Sequence, residues 1–358
     1  MSLFARDLCV LPVCLGILMM SYCASSHAEE DTKLRDELRA SITKTLPLLT
    51  KAAKGHREER TCFACHNQGV SILAIVAAKA RGFEIDADEL QQQLQHTAAF
   101  LATGRENYLQ GKGQGGRADM AGSALLALAA GKWKPDETTA AVAEYLLKYQ
   151  AEADHWSATS QRPPSEASDF TTSFVALRGL AEFGTPEQSE RIVARKKQVH
   201  DWFLKEPVKD NEDRVFRLWG MQSAGGSADE LKVIAKELAD KQQADGGWSQ
   251  LDTGDAPFTQ SDAYATGTAL VALHQAGGMA SSDPVYQRGL AYLLKTQQAD
   301  GSWQIPSRSK PFQKYFETGF PHGKDQFISC AATGWGTMAM ILAFDLKSEP
   351  AEPSGGQR

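Results

Sequence analysis

The chain alternates six times between charged segments carrying an apolar stripe and nearly uncharged segments rich in small residues. No other feature of the sequence restricts the fold as much. The charged kind occupies 31–54, 86–103, 135–150, 186–205, 227–243 and 284–298. Leu34, Leu38 and Ile42 in the first, and Ile192, Val199 and Phe203 in the fourth, follow helical spacing, the pattern of a helix with one buried face. Thr185-Pro186, Asp283-Pro284 and a capping box from Ser227 to Glu230 mark starts. The bland kind occupies 70–80, 118–130, 170–183, 215–224, 263–276 and 328–344, and a helix apolar all round is buried on every side.

Most bland segments open after a polar anchor, at Asn67, Asp119, Asp169, Asp213, Asp262 and Cys330. The intervals of 52, 50, 44, 49 and 68 residues describe a repeat with one long insertion, 304–327. The pattern predicts an all-α fold, an (α/α)6 toroid whose bland helices form an inner ring inside the charged ones. An open solenoid of six hairpins is the alternative, and six units with a uniform inner ring favour closure. Stacked hairpins also explain how 358 residues form one body, since each pair buries its face on the next. A composition of 42% hydrophobic and 23% charged residues is that of a folded chain, and a net charge of -6 argues against nucleic acid or anionic membranes as partners.

Arg6 precedes an apolar run from Leu8 to Met20, and Ser26 and Ala28 are small residues at the −3 and −1 positions of a signal-peptidase site. The expectation is a signal peptide over 1–28 cut after Ala28, a toroid over 29–345 and a disordered tail over 346–358. The run is short for a membrane span, and Tyr22 weakens a lipoprotein reading through Cys23. A periplasmic or secreted protein with no membrane span after cleavage follows.

Cys9, Cys14 and Cys23 leave with the signal, and Cys62, Cys65 and Cys330 remain. Cys330 reads as a buried free thiol. The other two lie in Cys62-Phe63-Ala64-Cys65-His66, the C-x-x-C-H spacing of c-type haem attachment. Two thiols so spaced form thioethers to the haem vinyl groups, and His66 becomes the axial iron ligand. Structural zinc would need two more ligands, and a thioredoxin-type pair would need a βαβ context. The cofactor expected is one covalent haem c.

Gln242-Gln243-Ala244-Asp245-Gly246-Gly247-Trp248 and Gln297-Gln298-Ala299-Asp300-Gly301-Ser302-Trp303, with a degenerate copy at Tyr149-Gln150 and Asp154-His155-Trp156, resemble the Q-x-x-D-G-x-W repeats of squalene–hopene cyclases and protein prenyltransferase β subunits. The resemblance independently implies an α/α toroid, and it implies structural roles at the hairpin turns for Gln243, Gln298, Trp248 and Trp303. A sugar-binding Trp platform is the competing role. The catalytic motifs of those families do not carry over. The nearest string to the D-x-D-D acid, Asp86-Ala87-Asp88-Glu89, reads as a helix start, and neither D-D-x-x-D nor the prenyltransferase zinc site is found. Cys62 to Gln68, with Gly319 to Gln326, also resembles a group of bacterial exported proteins that pair C-x-x-C-H-x-Q with cyclase-like repeats.

Chain direction puts C-x-x-C-H at the end of the toroid that carries the inner-helix N-termini. His322, on the long insertion, is the favoured distal ligand and Met120 the alternative; His155 and His56 lie near the same end. Asp262, Tyr264, Tyr315 and Asp325 are candidates for the cavity mouth, while the recurrent Asp residues read mainly as helix caps. The functional expectation is electron transfer or haem-dependent redox chemistry, with an unknown redox partner and a hydrophobic or small-molecule ligand in the cavity. A terpenoid-cyclase-like enzyme or isoprenoid binder without haem function is the alternative, and a repeat scaffold for a protein partner is a third reading.

Overall fold

A computed structural model describes residues 13–310 and 314–344, with side chains from residue 32 onward. Residues 1–12 of the expected signal segment and the tail over 346–358 lie outside the described residues, while 13–28 form the first part of the α1 backbone. Six charged helices form the outer ring: α1 (Val13–Glu59), α3 (Ala87–Thr103), α6 (Glu137–Lys148), α8 (Ser189–Lys205), α10 (Ala228–Ala239) and α12 (Pro284–Thr296). The inner ring is α2 (Val70–Ala80), α5 (Arg117–Ala130), α7 (Asp169–Phe183), α9 (Asn211–Ala224), α11 (Ala263–Gln275) and α13 (Gln326–Ile341). Each inner helix packs on the next, and α13 packs on both α2 and α1, so the ring closes and the solenoid is excluded. Elements beyond the twelve expected helices include the short α4 (Arg105–Leu109) and a two-stranded ribbon of β1 (Trp248–Ser249) against β2 (Ser261–Asp262). Among the described residues no helix is long and apolar enough to cross a membrane.

Small residues let the inner helices approach closely. A Cβ built on Gly267 of α11 would lie 2.6 Å from the Gly336 nitrogen of α13, and one on Gly122 of α5 would lie 2.7 Å from the Val175 carbonyl carbon of α7. Contacts that short do not occur, so the bland composition of the inner ring follows from its packing.

The repeats act at the turns. The indole Nε1 groups of Trp156, Trp248 and Trp303 donate to the carbonyls of Leu146, Leu238 and Leu293, at 2.9, 2.9 and 3.2 Å. Their backbone nitrogens donate to hydroxyls of the following inner helix, at Ser173, Thr266 and Thr333. Each Trp thus staples the end of an outer helix to the inner helix that follows. Trp156 and Trp248 are fully buried and Trp303 nearly so, which removes the sugar-platform role.

The glutamine role shifts by one residue. Gln242 reaches the Gly246 carbonyl of its own turn and the Val285 carbonyl of α12, both at 2.8 Å. Gln297 reaches the Gly301 carbonyl at 2.9 Å and accepts from Ser41 of α1 at 2.8 Å. The Gln243 side chain bonds only inside its own loop, to Thr259 and Ser261. Gln298 is held through its backbone, its nitrogen donating to the Ser302 carbonyl at 2.9 Å. The residues that tie neighbouring hairpins are therefore Gln242 and Gln297, the first position of each motif, and not Gln243 and Gln298.

Candidate cofactor site at the mouth of the toroid

The segment between α1 and α2 is set by hydrogen bonds that the C-x-x-C-H-x-Q spacing makes available. Gln68 accepts from the Ala64 nitrogen at 3.1 Å and donates to Gln93 of α3 at 2.7 Å. His56 Nε2 sits 2.9 Å from the Cys62 carbonyl oxygen. Cys65–Gly69 forms one π-helical turn that runs directly into α2, an irregularity that often marks functional sites. Burial pushes His56 down to about 4, so it is neutral at pH 7.

Beside this turn lies a cavity of about 1350 Å³, lined by Cys62, Cys65, His66, Met120, Arg162 and Arg308 among others. It exceeds the ~300–1,000 Å³ usual for small-molecule clefts. The lining comes from the α1–α2 turn, the start of α5, the loop before α7 and the insertion before α13, all at the end carrying inner-helix N-termini. Cys62 is exposed and Cys65 half-buried.

Sequence reasoning missed Glu166, a hundred residues from the motif. Cys65 Sγ donates to its Oε1 at 2.9 Å, and His66 Nδ1 lies 3.8 Å from the same atom. Arg162 pairs with Oε2, and Ser160 Oγ lies 3.3 Å from it. Burial pushes Glu166 up, but His66 and Arg162 outweigh it and hold the carboxyl down at about 2. Burial and this carboxylate together raise the Cys65 thiol well above its ordinary value. At 3.8 Å the His66–Glu166 pair is beyond hydrogen-bond range and interacts through charge alone, and the His66 ring lies edge-on to Phe327 at 5.3 Å. Among the described residues, Cys65, His66 and Glu166 also form a group able to hold a metal ion.

The other site candidates separate. Met120 lies on the cavity wall. His322 does not: its Nε2 is 2.7 Å from Ser302 Oγ, which also bonds Asp300, so the ring is committed to the last hairpin turn. Tyr315 is exposed and bonds Glu317 and Gln326. Asp325 accepts from the Ser307 nitrogen at 2.9 Å and fastens the insertion to itself. His155 stacks on Trp202 at 4.3 Å, held by Asp154 and Asp169. Cys330 is buried on α13 beside Ser71. The insertion does reach the cavity, but through Arg308 and Lys310.

Asp262 and Tyr264 lie deeper. Asp262 caps α11 by accepting from the Ala265 nitrogen at 2.8 Å, and burial pushes it up to about 6. Tyr264 donates to Glu212 at 3.0 Å and lines a second space of only about 60 Å³ at the centre of the inner ring, with Phe174, Phe216 and Trp335. Aromatic rings fill this centre: Phe174 stacks on Trp219 at 5.3 Å, and Trp219 meets Trp335 at 5.4 Å. Two recurrent acids tie inner helices together instead of capping them. Asp119 of α5 accepts from Thr172 of α7, and Asp213 of α9 accepts from Ser168 at 2.7 Å. Asp86 caps α3 by accepting from the Glu89 nitrogen at 2.9 Å, so its acidic string is a helix start.

The fold is that of an all-α terpenoid-cyclase-like toroid. Residues 215–335 match the squalene-hopene cyclase C-terminal domain. A squalene–hopene cyclase from Bradyrhizobium diazoefficiens is 30% identical over 52% of this chain, which spans 29% of that relative's length. Among solved structures, a variant of the type II terpene cyclase MstE from Scytonema, in complex with merosterolic acid A, aligns with a TM-score of 0.55 at 16% identity, covering 87% of this chain and 98% of its own. A second MstE variant, in complex with geranylgeranyl dihydroxybenzoate, gives 0.54 at 14% identity over 87% and 98%. A protein from Actinoplanes gives 0.53 at 12% identity over 86% and 99%. These likenesses establish the fold, and the site beside it is built from residues of this chain.

Proposed function

We propose that this chain is an exported haem c protein, built on a cyclase-like toroid, that acts in electron transfer or haem-dependent redox chemistry. The observation that carries the reading is the 1350 Å³ cavity with Cys62, Cys65 and His66 on one wall. The residues fit such a group. Both thiols and His66 border the space, and Met120 on the same wall would be available as a further iron ligand. Cys62 and Cys65 would hold the haem covalently, and His66 would ligate the iron. The bound haem would supply one-electron chemistry, with its potential set by the axial ligands and by burial.

The native absorption spectrum of protein exported from cells with haem c maturation tests this reading. A low-spin spectrum that becomes high-spin in Met120→Ala supports an electron carrier with Met120 bound. A high-spin spectrum in the unmutated protein supports an open position for a ligand or substrate. A protein with no haem absorption rejects the reading.

A second reading has an observation of its own. The fold neighbours include terpene cyclase complexes with a geranylgeranyl compound, and the central space here is aromatic, with Phe174, Phe216, Tyr264 and Trp335 on its wall. An isoprenoid binder would use that space. At about 60 Å³ it is too small for a polyprenyl chain without displacement of Phe174 or Trp335, so the mouth cavity favours the haem reading. Mass spectrometry of organic extracts from purified protein, with isoprenoid present and haem absent, would reverse that preference.

A further inference from the structure

The insertion before α13 carries a cation whose placement the fold explains and whose ion pair among the described residues, with Asp210, is loose. Arg308 lines the mouth cavity and its Nη1 is buried without a hydrogen-bond partner. The carboxylate oxygen it faces, Asp210 Oδ2, is 3.8 Å from Nη2, beyond hydrogen-bond range, and Asp210 also caps α9 by accepting from the Asp213 nitrogen at 3.1 Å. The serines on either side pin the position. Ser307 donates its backbone nitrogen to Asp325 at 2.9 Å, and Ser309 Oγ donates to the Pro163 carbonyl, across the mouth, at 3.1 Å. Lys310 lines the same cavity, and among the described residues it forms no ion pair. The third cation on the wall, Arg162, already holds Glu166.

A guanidinium at a cavity wall with one donor nitrogen left unpartnered is suited to a carboxylate, which it binds with charge-assisted hydrogen bonds. Haem brings two carboxylates, and a buried carboxylate needs a cation or several donors. Resting on the haem reading above, we propose that Arg308, assisted by Lys310, binds the haem propionates, so that the insertion clamps the edge of the macrocycle that Cys62 and Cys65 do not hold. The insertion then has a specific role, carried by Arg308 where the sequence had suggested His322.

The test uses the full chain with Cys62→Ala and Cys65→Ala, which cannot form thioethers, and metal-free protoporphyrin IX as a fluorescent probe beside its dimethyl ester. The clamp predicts that the free acid binds about tenfold or more tightly than the ester, as charge-assisted bonds imply. Arg308→Gln should bring the two within about threefold, and Arg308→Lys should restore part of the difference. Equal binding of acid and ester, a preference unchanged by Arg308→Gln, or no saturable binding of either would overturn the clamp. In the covalently loaded protein Arg308→Gln should leave the haem content unchanged and lower the midpoint potential, because a positive charge beside the group is removed. An unchanged potential would also overturn it. Failure of the haem reading itself would appear separately, as unmutated protein without covalent haem after maturation.

Discussion

Ser41 of α1 donates a hydrogen bond of 2.8 Å to Gln297 Oε1 at the end of α12, joining residues 256 positions apart. With the packing of α13 against α2 and α1, this bond closes the toroid between its last hairpin and its first. Gln242 makes the equivalent link one hairpin earlier, to Val285 of α12.

Gln297→Ala should therefore lower unfolding stability by about 1–3 kcal/mol, since Ser41 is buried and loses its amide partner. Gln298→Ala should change stability by less than about 0.5 kcal/mol, because its bond to Ser302 is made by the backbone. Urea unfolding of both variants checks the assignment. Equal losses would contradict it.

Gly267 tests why the inner ring is made of small residues. Gly267→Ala adds only a methyl group in a helix, where Ala is the better helix former by about 1 kcal/mol. The methyl would meet the backbone of Trp335 and Gly336, and overpacking of a rigid contact costs about 1–3 kcal/mol or more. A lower thermal midpoint is expected. A higher midpoint would show that the ring has room to spread.

The fold was legible because each helix states its layer in its own composition, and the six-fold alternation can be read without knowing any contact. The turn motif was legible in type but not in register. Gln242 and Gln243 are adjacent and identical, so only the position of the Val285 carbonyl distinguishes them. Cys62, Cys65 and His66 declared themselves by local spacing. Glu166 and Arg308 did not, because they reach the cavity from loops 101 and 243 residues away from Cys65 in sequence. His322 was misplaced because loop length says that a segment can cross a mouth, not which of its side chains turns inward.

Glu212 makes stability depend on pH. It is buried, accepts from Thr171 and Tyr264, and burial, reinforced by the neighbouring Asp210 charge, pushes it up to about 8 from an ordinary 4.5. Between those values the folded chain keeps a proton that the unfolded chain releases. Its contribution is therefore fully present below about pH 4.5, declines as pH rises, and is lost by about pH 8. The limiting slope is about 1.4 kcal/mol per pH unit. Asp262, pushed up to about 6, acts in the same direction over a lower window. Glu212→Gln keeps an acceptor for both hydroxyls and should flatten the decline between about pH 6 and 8. Denaturant midpoints measured across that range check it, and an unchanged decline would assign the effect to other groups.

The central claim is that Cys62 and Cys65 carry haem, and covalent attachment is its most direct consequence. The decisive measurement is a pyridine haemochrome spectrum of the polypeptide after denaturing electrophoresis, made on protein exported from cells with haem c maturation. The account predicts one haem per chain that stays with the denatured polypeptide and has the α-band of a porphyrin whose two vinyl groups are both saturated. Cys62→Ala with Cys65→Ala should abolish it. A polypeptide that leaves the gel free of haem, from cells in which another c-type cytochrome matures normally, would contradict the account.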